Sequence, residues 1–309
     1  MLNLLGFNDA NLKPFEERFA SSISIRGDVA TVKGTLEEVD SIEKIFKEMT
    51  YVLNTTNKLK QEDVSTIIDL TLNGRDIISN EDYNSIVLYT KKDVIKAKTE
   101  TQLEYVKAMN SFDICFGIGP AGTGKTYLAV AFAISQLKKG VVKKIVLARP
   151  AVEAGESLGF LPGDFKEKID PYLRPLYDAL QDMLPNEQLK NYMERNIIEI
   201  VPLAYMRGRT LNNSYIILDE AQNSTNNQMK MFLTRIGPNS KALITGDITQ
   251  IDLPKKVESG LILVKKILMD VDGVGFVFFK KADVVRHKLV KDIIQAYEKY
   301  NGGESENRS

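Results

Sequence analysis

Cysteine and histidine are nearly missing from this 309-residue chain, which has one of each, Cys115 and His287. A single cysteine allows no internal disulfide, which suits a reducing compartment. A single histidine excludes a His-rich metal centre. Neither sign of charge is in excess, with 41 Lys+Arg against 41 Asp+Glu. The composition therefore does not describe a constitutively basic nucleic-acid coat, although a local basic face stays open. No apolar run reaches membrane-spanning length, and no internal repeat or low-complexity tract is present. The opening Met1-Leu2-Asn3-Leu4-Leu5-Gly6-Phe7 lacks a basic start and a long apolar core, so no secretory leader is expected. Cys115 lies in an apolar run and reads as a small buried residue rather than a nucleophile.

What the chain does have is Gly119-Pro120-Ala121-Gly122-Thr123-Gly124-Lys125-Thr126, which fits the phosphate-binding pattern G-x-x-x-x-G-K-[ST]. The apolar run Asp113–Ile118 before it is of strand type, and Tyr127–Ile134 after it reads as a buried helix. That order places backbone N–H groups and a helix N-terminus around one point, where an anion is favoured. Lys125 is expected to reach the β- and γ-phosphates of a nucleotide, and the Thr126 hydroxyl to sit on Mg²⁺. The glycines let the backbone approach the phosphates with no Cβ in the way.

The first segment reads as a small α+β unit. A helix through Leu12, Phe15 and Phe19 is expected, then two alternating strands, Ser22–Arg26 and Val29–Gly34, joined at Gly27-Asp28 as a hairpin. A helix carrying Leu36, Val39, Ile42, Ile45, Phe46 and Met49 follows, then a shorter one over Val64–Leu72. Residues 81–101 are rich in charge and read as a linker with at most one strand, Ile86–Tyr89. Its lysines are either a solvated connector or the edge of an RNA-binding face. The domain boundary is placed near residue 95, giving units 1–95 and 96–300 and a disordered polar tail 301–309.

From residue 96 strands and helices alternate. Strands are expected at Ile114–Ile118, Lys144–Ala148, Ile197–Val201, Tyr215–Leu218, Ala242–Thr245 and Phe276–Phe279. Helices are expected at Lys125–Lys138, Tyr172–Met183, Glu187–Arg195, Asn226–Arg235, Val257–Met269 and Leu289–Tyr300. Several strands are unbroken apolar runs, as a parallel sheet covered on both faces requires. The expected fold class is α/β: a three-layer parallel-sheet P-loop NTPase domain behind a small α+β domain, with nucleotide at the C-terminal strand ends.

Tyr215-Ile216-Ile217-Leu218-Asp219-Glu220 is an apolar strand ending in two carboxylates, the Walker B form. Asp219 is assigned to Mg²⁺ and Glu220 to general-base or water-positioning duty. Next comes Ile244-Thr245-Gly246-Asp247-Ile248-Thr249-Gln250, a strand ending in G-D-x-x-Q. Asp247 and Gln250 are expected to project toward the γ-phosphate, with Gln250 a candidate sensor. Asp219-Glu220-Ala221-Gln222-Asn223 resembles the DEAQ box of superfamily 1 helicase-like ATPases, and the G-D-x-x-Q turn resembles their next motif.

Four more blocks extend the likeness: Arg149–Glu156, Leu158–Asp164, Ala204–Thr210 and Asp283–His287. Together these motifs resemble the PhoH-like family from about Gln102 to Tyr300. The resemblance implies a cytoplasmic bacterial ATPase with one RecA-like domain and ATP and Mg²⁺ as cofactors. It also implies a link to RNA metabolism, in some members beside an endoribonuclease acting in ribosome maturation. By the same likeness Gln102 resembles a glutamine that reads adenine. Arg286 resembles a late arginine that touches the γ-phosphate, with Arg149, Arg174, Arg207 and Arg209 as competitors. The N-terminal order of helix, strand, strand, helix resembles part of a KH-type RNA-binding domain. It lacks the G-x-x-G loop of that domain, and a small structural or oligomerisation domain is the standing alternative. Segment Arg149–Pro175 reads as an RNA- or partner-contacting element or as a structural insertion.

Three functions are open at this point. One is an ATPase coupled to RNA binding or remodelling. With a single RecA-like domain, strand separation would need a homo-oligomer, for which a closed ring is the natural form. Another is a nucleotide-dependent assembly factor with slow hydrolysis as its timer. The third is a small-molecule P-loop kinase, against which Glu220 and the G-D-x-x-Q turn argue. No membrane association is expected.

Overall fold

A computed structural model of the chain describes residues 2–56, 59–72, 85–90, 93–150, 165–254, 256–285, 289–290 and 293. The N-terminal unit opens with two short helical turns, α1 (Leu2–Leu5) and α2 (Lys13–Glu16). An antiparallel hairpin follows, β1 (Ser22–Arg26) with β2 (Val29–Lys33). Then come α3 (Leu36–Thr56) and α4 (Gln61–Leu72). Ile42, Ile45 and Met49 recur at helical spacing on α3 and are fully buried against Phe15, Val64, Ile67 and Ile68. The expected order of helix, hairpin and two helices is the observed one.

The stretch read as a charged linker is more structured than expected. It holds a second antiparallel pair, β3 (Ile86–Tyr89) and β4 (Val94–Lys96). Val87, Leu88 and Ile95 are buried in the core of the following domain, while Tyr89 packs against the N-terminal core. The Tyr89 hydroxyl donates to Glu48 Oε2 at 2.7 Å, and the Tyr89 carbonyl accepts from Lys138 Nζ at 3.1 Å. Glu48 is 2% exposed. Burial pushes its carboxyl up from 4.5 to about 7, with the Tyr89 bond opposing part of the shift.

A carboxyl raised on folding binds its proton more tightly folded than unfolded. Its stabilising share is complete below about 4.5 and is withdrawn as pH rises through about 7. Glu48→Gln keeps an acceptor for Tyr89 and removes the charge. It is expected to leave stability near pH 4 unchanged and to raise it near pH 8 by on the order of 3 kcal/mol. Urea unfolding of the N-terminal unit at the two pH values checks this. Equal pH slopes for variant and wild type would refute it.

The second domain begins with α5 (Glu100–Ser111), capped by the Thr99 hydroxyl, which accepts from Gln102 N–H. In chain order there follow β5 (Ile114–Ile118), α6 (Lys125–Lys139), β6 (Lys144–Arg149), α7 (Phe165–Met183), α8 (Asn186–Glu194), β7 (Ile198–Pro202), β8 (Ser214–Leu218), α9 (Asn226–Leu233), β9 (Lys241–Gly246), α10 (Gly260–Leu268) and β10 (Val274–Phe278). The six strands β5 to β10 form one parallel sheet in the order β10-β5-β9-β8-β6-β7.

Residues alternate along each strand between two cores. Cys115, Ile145, Leu147, Tyr215, Ile217 and Leu243 meet α5, α6, α7 and α8 on one face. Phe116, Val146, Ile216, Leu218, Ala242 and Ile244 meet α9 and α10 on the other. Both faces are therefore covered, and every residue of β8 is buried, which is why these strands read as unbroken apolar runs. This is a RecA-like P-loop α/β domain. Burial also pushes the Cys115 thiol up to about 12, so it is inert packing, as expected.

Boundaries moved where proline or glycine intervened. Helix α7 starts at Phe165 and runs through Pro171 and Pro175, whereas the sequence reading began it after Pro171. Helix α10 starts at Gly260, after Ser259, three residues later than expected. The expected helix Leu289–Tyr300 lies largely outside the described residues, and the tail 301–309 lies entirely outside them.

Candidate nucleotide site

Strand order decides what meets at the sheet's C-terminal edge. The P-loop strand β5 has β9 beside it and β8 beyond that. The loop after β5, the carboxylates after β8 and the G-D-x-x-Q turn after β9 therefore open into one cleft of about 240 Å³. Gly122, Gly124, Lys125, Thr126, Asp219, Glu220, Asp247 and Gln250 line it. The sequence reading named all of these residues.

The loop itself is tightly determined. Gly119 has φ +154, and a Cβ there would lie 2.5 Å from the Phe279 carbonyl oxygen. Gly124 has φ +79 and immediately precedes α6, whose first-turn N–H groups have no intrahelical acceptor. Under the loop, Gly117 lets the ring of Tyr105 pass, where a Cβ would come within 2.8 Å of it. Ala121 N–H donates to Asp247 Oδ2 at 3.1 Å, which ties the loop to the G-D-x-x-Q turn. Val285 N–H donates to Gly122 O at 3.0 Å, so the late motif returns to the same loop. Arg286 itself lies outside the described residues.

Lys125 is 7% exposed. Its ammonium donates to Gly119 O at 2.7 Å, Pro120 O at 2.8 Å and Thr123 Oγ1 at 3.3 Å. Those bonds fix a positive charge over the loop. The Thr126 hydroxyl donates to Asp219 Oδ1 at 2.6 Å, and the Thr245 hydroxyl donates to the same oxygen at 2.8 Å. This cluster of hard oxygen donors fits Mg²⁺, which takes one or two protein oxygens and fills its shell with water and phosphate. Among the described residues no group of three or more His, Cys, Asp or Glu is placed to hold a metal alone.

Glu220 sits next to this pair in the left-handed backbone region, at φ 52. Its Oε2 accepts from Gln222 Nε2 at 2.6 Å, and its Oε1 lies 3.1 Å from Arg149 Nη2. Gln222 also donates to Gln250 O at 3.1 Å, and its Oε1 accepts from Asp247 N–H at 3.0 Å. Gln222 is therefore the hub joining the carboxylates to the G-D-x-x-Q turn. The sequence reading quoted it only as a motif letter. The role of Thr245 was also missed, because a threonine inside a buried strand carries no sequence signal of its own. Gln250 is exposed at the cleft mouth, held through its backbone carbonyl.

Gln102 is buried beneath the loop, 3% exposed. Its Nε2 donates to Thr123 O at 2.9 Å, and its Oε1 accepts from Lys98 N–H at 2.6 Å. In this arrangement the amide braces the phosphate loop through the Thr123 carbonyl. Gln102 also lines a second cleft of about 440 Å³, walled by β4, Gly122, Gly124 and Tyr127. Because Gly122, Gly124 and Tyr127 border both clefts, the two are contiguous.

The competing arginines separate. Arg209 is paired with Glu199 at 2.6 Å, and Glu199 also takes Lys144; burial would raise its carboxyl, but these two cations hold it below the usual range. Arg174 and Arg207 are exposed. Arg149 alone of the described candidates reaches the carboxylates of its own chain. Of the segment 149–175, residues 151–164 lie outside the described residues. Among the described residues no helix is long and apolar enough to cross a membrane.

Residues 94–298 match the family described as PhoH-like protein. A PhoH-like protein of Bacillus subtilis is 50% identical over 301 residues, covering 97% of this chain and 94% of that one. Protein PhoH of Escherichia coli is 46% identical over 205 residues, 66% of this chain and 58% of that protein. Among solved structures, a Sulfolobus solfataricus SWI2/SNF2 ATPase core in complex with dsDNA aligns with 52% of this chain and 33% of its own. The TM-score is 0.33 and the identity 18%.

Proposed function

The chain belongs to the PhoH-like protein family, and on that premise we propose that it binds ATP with Mg²⁺, hydrolyses it, and couples hydrolysis to RNA binding or remodelling. The observation that carries the hydrolytic part is the cluster at Asp219. A P-loop hydroxyl and a β9 hydroxyl converge on this buried carboxylate, with a second carboxylate one residue on. The loop N–H groups and Lys125 bind the β- and γ-phosphates. Thr126 and Asp219 are the residues that would hold Mg²⁺, which when bound would supply charge neutralisation for phosphoryl transfer. Glu220 orients water and accepts its proton. Asp247, tied to Ala121 N–H, keeps Gln250 at the mouth of the phosphate cleft. Gln102 serves the nucleotide by bracing Thr123. A carboxylate beside the metal-binding acid suits attack by water better than transfer to a small-molecule alcohol, which sets the kinase reading aside.

The RNA part is supported by the likeness of the motif blocks quoted from the sequence. A cytoplasmic setting, a closed homo-oligomeric ring and a ribonuclease or ribosome-associated partner belong to the same proposal. The assembly-factor reading has one observation in its favour: both oxygens of Glu220 are already engaged, which suits slow turnover. Steady-state ATP hydrolysis at low salt, with and without single-stranded RNA, separates the readings, since phosphate contacts weaken steeply as salt rises. RNA is expected to raise turnover. Turnover indifferent to RNA would remove the RNA part and advance the assembly factor. Turnover no faster than that of Lys125→Ala would remove hydrolysis itself.

A further inference from the structure

The Arg149 guanidinium is shared among three groups. Nη2 lies 3.1 Å from Glu220 Oε1, Nε lies 3.7 Å from Asp219 Oδ2, and Nη1 donates to the Tyr172 carbonyl of α7 at 2.7 Å. With Gln222 on the other oxygen, each oxygen of the Glu220 carboxylate, the side chain being 37% exposed at the cleft, carries one contact from the protein. A general base needs an oxygen facing the water it deprotonates. The Glu220 backbone is also left-handed, a conformation that a glutamate adopts only when its surroundings enforce it. Tyr172 stands between Pro171 and Pro175 of α7. Pro175 has no N–H for the helical ladder, so the Pro171 carbonyl lacks its usual i+4 partner in this turn. A planar fork can address two carboxylates and a carbonyl together, which a single ammonium cannot.

We propose that Arg149 is a positioning residue that withholds Glu220 from water and couples its release to the position of α7. The proposal rests on the ATPase reading above. The hold is weak enough to be released, because the Glu220 side chain is 37% exposed. An ion pair so exposed restrains its partner by a factor of about two to five. When α7 shifts, Arg149 follows its carbonyl, Glu220 keeps only the Gln222 bond, and one oxygen turns to the cleft.

The test uses the full chain as wild type, Arg149→Gln and Arg149→Lys, each alone and with Glu220→Gln. Turnover is measured beside the Kd of a fluorescent non-hydrolysable ATP analogue. Arg149→Gln is expected to raise turnover about two- to fivefold. Its Kd should move by less than about twofold. Arg149→Lys should fall between it and wild type, and the gain should vanish in the Glu220→Gln background. A second readout uses Tyr172→Trp, since the chain contains no tryptophan and the Arg149 bond is to the Tyr172 backbone carbonyl, which the substitution keeps. The emission of this reporter should shift on adding the analogue, and Arg149→Gln should show the shifted spectrum beforehand. A roughly hundredfold loss of turnover at unchanged Kd would instead make Arg149 a transition-state arginine and overturn the proposal. Turnover that stays level or falls with weakened binding would also overturn it. If wild type hydrolyses and no gain appears, only this proposal fails; if wild type does not hydrolyse, the ATPase reading fails and carries the proposal with it. Should Arg149→Gln not fold, Arg149→Lys must show the gain alone.

Discussion

Lys125→Ala is expected to abolish measurable turnover and nucleotide binding together. The Lys125 ammonium is the only cation held over the phosphate loop among the described residues, fixed by the Gly119 and Pro120 carbonyls. Around it stand Asp219, Glu220 and Asp247, all lining the same cleft. Without the lysine, an incoming triphosphate would meet three carboxylates, two of them paired with Arg149, and no cation on the loop itself among the described residues. Removal of one fixed charge of this kind from a transition-state site costs roughly 10²–10³ in turnover. Binding weakens as well, because the charge acts on the ground-state phosphates too, so kcat and Kd are lost in parallel. The fold should survive, since Lys125 belongs to neither of the two apolar cores. Calorimetric titration with ATP, beside a far-ultraviolet spectrum, checks both points. A variant that binds ATP at wild-type affinity would mean that the phosphates do not lie on this loop.

The residues that prediction uses were visible in the sequence, and the reason is geometric. A motif confined to one turn carries its whole geometry in its own spacing, so the P-loop and the Asp219-Glu220 pair needed no tertiary knowledge. Strands buried on both faces announce themselves as apolar runs, and β8 and β9 were placed to within a residue. The signal failed where function depends on partners distant in the chain. Gln222 looks like any other helix-start glutamine until β9 is laid beside β8. Arg149 ends one strand and meets carboxylates that end another, seventy residues later. Gln102 was assigned only through the family likeness, and its bond to the Thr123 carbonyl, twenty-one residues away, carries no local signal. β4 was missed because three residues flanked by lysines carry no apolar period, although Ile95 alone anchors them in the core.

Glu220→Gln should do the opposite of Lys125→Ala and separate binding from chemistry. The substitution is isosteric, so Gln222 retains an oxygen to donate to, and the left-handed backbone at residue 220 is no harder for glutamine than for glutamate. Nothing in the loop, in Lys125 or in the Thr126–Asp219–Thr245 cluster is touched. What disappears is the group able to take a proton from water, and loss of a positioned general base costs roughly 10²–10⁴ in rate. The expected outcome is therefore turnover reduced by about that factor with Kd within about twofold of wild type. The ATP-bound form should accumulate, which filter binding with radiolabelled ATP would reveal as retained triphosphate rather than diphosphate. The two variants together locate the chemistry. Loss of binding in Lys125→Ala with retention in Glu220→Gln assigns recognition to the loop and hydrolysis to the end of β8. If Glu220→Gln hydrolyses at the wild-type rate, the proton leaves by another group. Asp247 is then the strongest candidate, because its carboxylate stands in the same cleft and already accepts the Ala121 N–H of the phosphate loop.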